Sequence, residues 1–120
     1  MSKNLVHLTH GPVNPTRPAL AFLVAKSAID EGHSVSLFLA GDAVQLLRDA
    51  VLDNLSGSGT VKLREHYDAI VVGGGKFYQS GMFGKPRRVG EAEIQGKPAE
   101  FAMPNVLVRQ ALEHDRMFTY

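Results

Sequence analysis

Ser80 is the first candidate for chemistry in this sequence, because it is a nucleophilic side chain followed directly by Gly81. A serine nucleophile of the hydrolase type lies in a Gly-x-Ser-x-Gly turn. Here Tyr78 occupies the position of the first glycine, and no His and Asp follow in an order that suggests a catalytic triad. The spacing therefore disfavours a serine hydrolase and leaves Ser80 as a candidate without an assigned partner.

Three consecutive glycines precede Lys76, which is the kind of sequence that can hold phosphate groups through backbone N–H groups and a lysine. The spacing of a phosphate-binding loop is not met. Ile70 stands where the first glycine should be, and Phe77 stands where a serine or threonine should hold magnesium. A dinucleotide fingerprint starting at Gly73 fails at Tyr78. We therefore expect no nucleotide loop here.

The histidines do not form a predicted metal site. His7 and His10 are three residues apart, and on a strand this spacing points two side chains to opposite faces. His10 is the better functional candidate, because it lies where the first predicted strand ends. The others are predicted to be surface residues at element ends: His33, His66 and His114. No motif indicates a cofactor, so we expect none.

The chain contains no cysteine, which excludes disulfide bonds, thiolate metal sites and persulfide chemistry. Its 13 basic and 12 acidic residues give a net charge of +1, which provides no basis for nucleic-acid binding. The longest apolar run covers seven residues, 19–25, and is too short to span a membrane. No secretory signal is recognised, and we expect a cytoplasmic protein.

The 120 residues suit a single α/β domain, because short apolar runs alternate with segments of helical period. The predicted strands cover residues 5–9, 35–40, 99–102 and 117–120. The predicted helices cover residues 16–31, 43–53 and 104–114, with Thr16 and Asp42 as N-caps of the first two. The first helix is apolar on every side over residues 19–25, which indicates a second burial surface against another subunit.

Residues 61–81 allow two interpretations. Residues 68–73 could be a buried strand that leads into the glycines. Alternatively, a helix from Val61 ends at the glycines, and residues 76–80 form the strand. In the first case the glycines would approach a ligand, and in the second Ser80 and Gly81 stand at a strand's end.

Ligands of open parallel sheets bind outside the carboxyl ends of the strands. By this rule, the residues that directly follow the strands are predicted to form a ligand site. A small basic cluster follows Ser80. It is either part of a solvated loop or a contact for an anion. The predicted site residues are His10, Gly11, Asn14, Thr16, Asp42, Ser80, Gly81, Lys85 and Arg87, with Met103 and Pro104 at the same edge.

Several segments together resemble the DsrE/DsrF-like family: residues 6–12, 37–44, 80–81 with 85–87, and 101–120. The resemblance implies a three-layer α/β/α sandwich on a mostly parallel five-stranded sheet, a variant of the flavodoxin-like fold. It also implies assembly into trimers or hexamers, and it favours the helix-then-strand interpretation of residues 61–80.

In the sulfur-relay members of this family, a cysteine at the end of the third strand carries a persulfide, and that position falls on Ser80. A hydroxyl cannot accept sulfane sulfur, so this activity does not transfer. We therefore expect a non-catalytic homo-oligomeric subunit, spanning residues 1–120, that binds a ligand or a protein partner. The alternatives are a small enzyme that uses Ser80 with His10 as base, and a purely structural oligomer.

Overall fold

In the part of the chain that the structure describes, apolar segments form five strands, and the segments between them form helices. The computed structural model describes residues 1–57, 59, 61–84, 86 and 88–120. The strands are β1 (Lys3–Leu8), β2 (Ser34–Leu39), β3 (Lys76–Ser80), β4 (Ala99–Ala102) and β5 (Arg116–Thr119). The helices are α1 (Thr16–Asp30), α2 (Asp49–Asn54), α3 (Leu63–Val72), α4 (Gly81–Gly84), α5 (Glu91–Ile94) and α6 (Pro104–Glu113), with a 3-10 helix over Gly41–Gln45.

The sheet has the strand order β4-β3-β2-β1-β5, and every neighbouring pair is parallel. From β1 to β4, each new strand is placed beside the previous one on the same side of the sheet. The chain then returns through α6, and β5 pairs with the other edge of β1. This confirms the predicted α/β fold with helices flanking a five-stranded sheet, and it makes the sheet parallel throughout.

Helices α1 and α3 pack together beside one face of the sheet and form the main core. Three aromatic rings join these layers: Phe77 of β3 lies 5.8 Å from Phe22 and 5.3 Å from Tyr67, measured between ring centroids. The opposite face carries a smaller apolar cluster of Leu5, Phe38 and Ala102, against which α6 packs. Within the described residues, no helix is long and apolar enough to cross a membrane.

Helix α3 followed by strand β3 confirms the helix-then-strand interpretation of residues 61–80. The three glycines lie between these two elements and serve packing. A Cβ atom on Gly73 would lie 2.3 Å from Cγ2 of Ile29, and one on Gly75 would lie 2.4 Å from Cγ2 of Ile70. Gly74 has a φ of +84°, which favours glycine. Close packing or backbone conformation therefore explains why each of these positions is glycine, without a ligand.

The predicted single helix over residues 43–53 is wrong. A 3-10 helix ends at Gln45, and Arg48 is extended, with φ −63° and ψ 134°, before α2 begins at Asp49. The apolar residues that produced the helical period, such as Leu46 and Leu47, are nevertheless fully buried. The helical period in this segment indicates which side chains face the core. It does not show that the backbone forms one continuous helix.

Three further predictions need correction. Thr16 is the first residue of α1, and Pro15 occupies the N-cap position. Asp42 lies inside the first turn of the 3-10 helix, whose N-cap position is Ala40. His66 is buried in α3, not at the surface, and burial lowers the pKa of its imidazole.

Candidate functional site

The carboxyl ends of the strands meet at one edge of the sheet. Leu8, Leu39 and Gln79 lie level with one another in the strand register, and Ser80 lies level with Ala102 of β4. The segments that follow β1, β2, β3 and β4 therefore emerge side by side. This is the edge where a parallel sheet is expected to bind a ligand.

The segments after β1 and β2 are packed against each other. Gly11 is buried, and a Cβ atom there would lie 2.4 Å from the backbone oxygen of Asp42. Only a glycine permits this approach, so Gly11 and Asp42 are brought together as the predicted site requires. Next to them, His10 Nδ1 is buried without a hydrogen-bond partner among the described residues.

An open cavity of about 360 Å³ lies at the ends of β3 and β4. Ser80, the last residue of β3, is 2% exposed, and Gly81 forms part of the cavity wall. Met103 Sδ lies 3.5 Å from the point that a Cβ of Gly81 would occupy. The lining is apolar apart from one amide: Gly81, Phe101, Ala102, Met103, Asn105 and Val106.

Gln79 is a polar residue of this edge that no sequence motif indicated. It is 0% exposed, and its Nε2 donates a hydrogen bond of 2.8 Å to the carbonyl oxygen of Val44. This bond ties the end of β3 to the 3-10 helix that follows β2. Its Oε1 accepts no hydrogen bond from the described residues. A glutamine inside a predicted buried strand, beside Ser80, was the signal available in the sequence.

Ser80 and His10 follow strands that are not neighbours. Strand β2 lies between β1 and β3, and two inter-strand spacings separate their backbones by about 10 Å. His10 Nδ1 has no hydrogen-bond partner in the described part of the chain, Ser80 included. A nucleophile and its base need heavy-atom distances of roughly 2.6–3.2 Å. The arrangement therefore gives no support to a Ser80–His10 pair.

Asn14 and Thr16 are exposed at the start of α1. The Oδ1 of Asn14 accepts a 3.4 Å hydrogen bond from the backbone N–H of Arg17, so Asn14 supplies the capping contact predicted for Thr16. Neither residue lines the cavity at β3 and β4. The predicted anion contacts, Lys85 and Arg87, lie outside the described residues.

His7 lies on the face of the sheet that α6 covers. Its ring meets the ring of Phe38 edge-on at 6.0 Å, and burial lowers the pKa of its imidazole below 6.5. His7 is therefore a packing residue near neutral pH. Among the residues that the structure describes, no group of three His, Asp or Glu side chains is placed to hold a metal ion.

A second cavity, of about 280 Å³, lies at the opposite, amino edge of β3 and β4. Lys76, Tyr78 and Glu100 contribute polar groups to its lining. Its position is the one that parallel sheets seldom use for ligands, because binding loops follow the carboxyl ends of strands. The cavity beside Ser80 is therefore the better candidate.

Residues 3–120 match the DsrE/DsrF-like family. The solved structure of the YchN protein from E. coli is similar to this chain, with a TM-score of 0.78 and 16% sequence identity over 100% of both chains. A conserved protein of unknown function from Bacteroides thetaiotaomicron, BT1422, has a TM-score of 0.65 and 12% identity, over 99% of this chain and 95% of its own. At such identities these structures support the fold alone. No curated protein matches the chain.

Proposed function

Because this chain belongs to the DsrE/DsrF-like family and has no cysteine, we propose that it is a non-catalytic binding subunit. The observation that carries this proposal is the cavity at the end of β3, whose wall includes Gly81. The family resemblance puts the sulfur-carrying position of sulfur-relay relatives on the neighbouring residue, Ser80, which is buried. We infer that the chain keeps a binding site at this strand end although the nucleophile is missing.

The ligand class follows from the lining and from the sequence that comes next. Apolar walls with a single amide, Asn105, suit an apolar body carrying a polar group. Lys85 and Arg87 follow Ser80 within seven residues and supply positive charge. We therefore propose that the ligand is a small organic anion.

The subunit is further proposed to assemble with copies of itself. The family resemblance implies trimers or hexamers. Large apolar side chains on α1 and α6 remain partly exposed in the single chain, Leu20 and Leu112 among them, and burying such groups against another subunit is favourable.

The test is thermal unfolding with three matched probes. Benzoate has both the apolar ring and the negative charge, benzyl alcohol has only the ring, and acetate has only the charge. At about ten times its dissociation constant, a ligand stabilises the folded state by about 1.4 kcal/mol, which raises Tm by about 5 °C in a chain of this length. We expect the largest shift with benzoate.

Two variants identify the site. Asn105→Ala removes the amide of the cavity, and Lys85→Ala removes one positive charge after Ser80. Both should weaken the benzoate shift. Lys62→Ala, which removes an exposed positive charge far from the cavity in sequence, is the matched control. The proposal is wrong if no probe shifts Tm, or if Lys62→Ala weakens binding as much as Lys85→Ala does.

A further inference from the structure

A third cavity, of about 350 Å³, lies between helix α1 and the strands β1 and β5. Its walls come from the start of β1, the second half of α1 with the turn that follows it, and β5. The lining residues are Ser2, Asn4, Val24, Ser27, Ala28, Glu31, His33 and Phe118. None of them lines the cavity beside Ser80, which lies on the opposite face of the sheet, next to α6.

The charge at the end of α1 is unusual for a helix. The C-terminus of a helix carries a partial negative charge, so basic side chains are favourable there and carboxylates are unfavourable. Helix α1 instead ends with Asp30 and Glu31, and its last turn holds no basic residue. Lys26 compensates Asp30 through an ion pair of 2.7 Å. Glu31 has no cationic partner among the described residues, so a bound cation would relieve this unfavourable charge.

Asn4 adds a buried amide to the same cavity. The next residues of β1 on this face of the sheet, Val6 and Leu8, are part of the apolar core. Asn4 is 5% exposed, and its amide contacts the Ser2 hydroxyl at 3.3 Å and 3.5 Å. Typical hydrogen bonds of this kind are roughly 2.7–3.2 Å long, so both contacts are weak. The amide oxygen of Asn4 therefore keeps capacity to accept a hydrogen bond from a ligand.

The rest of the cavity is apolar or is held in place by hydrogen bonds. The backbone N–H of Ser2 donates a 2.9 Å hydrogen bond to Nδ1 of His33, which joins the start of β1 to the turn before β2. Val24 and Ala28 of α1 and the 40% exposed ring of Phe118 supply the apolar wall. An aromatic ring also attracts a cation that lies over its face.

We propose that this cavity binds an organic ammonium ion, a primary amine attached to an apolar body. An ammonium group has three N–H donors and no acceptor, which matches the carboxylate of Glu31 and the amide oxygen of Asn4. No lysine or arginine is among the lining residues. Arg116 is level with Asn4 on β5, but its guanidinium donates to the backbone oxygen of Asp115.

This site goes beyond the proposed binding of an organic anion. It lies on the other face of the sheet and selects the opposite charge. The two proposals can therefore fail separately, because a missing response to amines says nothing about the response to benzoate.

The experiment is isothermal titration calorimetry of the full chain at neutral pH with three matched probes. Benzylamine has the ring and a positive charge, benzyl alcohol has only the ring, and methylammonium has only the charge. We expect benzylamine to bind most tightly. Glu31→Gln should raise its dissociation constant by about three- to tenfold, because it removes the charge that pairs with the ammonium group. Glu113→Gln is the matched control, since Glu113 is an exposed carboxylate at the end of α6 on the opposite face.

A second pair of variants locates the bound amine. Ala28→Leu fills part of the cavity and should raise the dissociation constant of benzylamine at least roughly tenfold. Ala111→Leu makes the same change at an exposed position of α6 and should have no effect. Circular dichroism verifies that both variants fold.

Three results would overturn the proposal. The first is the absence of benzylamine binding, or binding of benzyl alcohol that is equally tight. The second is a benzylamine affinity that neither Glu31→Gln nor Ala28→Leu lowers. The third is an affinity that falls in Asn105→Ala, because the amine would then occupy the cavity beside Ser80.

Discussion

Replacing Gly73 by alanine tests whether the three glycines before β3 serve packing. The new Cβ atom would lie 2.3 Å from Cγ2 of Ile29 and 3.1 Å from its Cδ1. Favourable carbon contacts are about 3.5–4.0 Å long. Ile29 belongs to α1, where a β-branched side chain has one strongly preferred rotamer, so it cannot simply turn away.

The expected cost is that of overpacking, about 1–3 kcal/mol. The entropy of unfolding is about 2.1 cal/mol/K per residue, so for this chain each 1 kcal/mol corresponds to about 4 °C in Tm. Gly73→Ala should therefore lower Tm by about 4–12 °C. Urea denaturation at equilibrium measures the same loss as a lower midpoint with an unchanged slope.

A double-mutant cycle with Ile29→Ala isolates the cause. Ile29 packs against the main core, so Ile29→Ala alone also destabilises the protein. In the double variant the new methyl group enters the space that Ile29 vacates. The two losses should fall short of additivity by roughly 1–3 kcal/mol.

Gly74→Ala is the control for this cycle. A Cβ atom on Gly74 would meet no atom within 4 Å, but its φ of +84° strains an alanine. That strain, about 1–2 kcal/mol, has no connection with Ile29, so this pair should be additive. Additive losses for Gly73→Ala and Ile29→Ala, or a Gly73→Ala variant as stable as the wild type, would refute the packing explanation.

Three further outcomes are expected. Gln110→Met should raise the free energy of unfolding by about 1–2 kcal/mol, seen as a higher urea midpoint, because it removes a buried oxygen without a partner; a lower midpoint would contradict this. Burial lowers the folded-state pKa of both His7 and His66 below 6.5, so the unfolded chain binds protons more readily. Stability should therefore fall as the pH drops below 6.5, and a urea midpoint that rises between pH 7.5 and pH 5.5 would count against that explanation. The thiol of Ser80→Cys should react slowly with Ellman's reagent at neutral pH, because burial raises a thiol pKa. The exposed thiol of Val72→Cys is the control and should react quickly. Equal rates would show that solvent reaches the end of β3.

The fold could be predicted from the sequence because its signals are local. Apolar runs, most of them bounded by glycine or proline, predicted the strands. The second interpretation of residues 61–81 predicted α3 and β3 correctly. The segment 43–53 was mispredicted because a helical period requires only that the right side chains face the core. Extended backbone at Arg48 satisfies the same burial with two short helices.

The candidate site was predicted only as an edge of the sheet. Which residues of that edge meet depends on strand order, and a single sequence does not determine strand order. The order places β2 between His10 and Ser80 and places β4 beside β3. Gly81 therefore meets Met103 from a segment about twenty residues away, while His10 lies with Gly11 and Asp42.

Two independent features separate this chain from sulfur transfer. The first is the residue type, since a serine hydroxyl is far less acidic than a thiol and does not bind sulfane sulfur. The second is the environment: Ser80 is almost completely buried at the junction of β3 and α4, whereas a sulfur-carrying thiolate must be charged and accessible to its partner. Restoring the cysteine would correct only the first feature, because burial penalises the thiolate. Ser80→Cys alone is therefore not expected to produce an accessible thiolate at the end of β3.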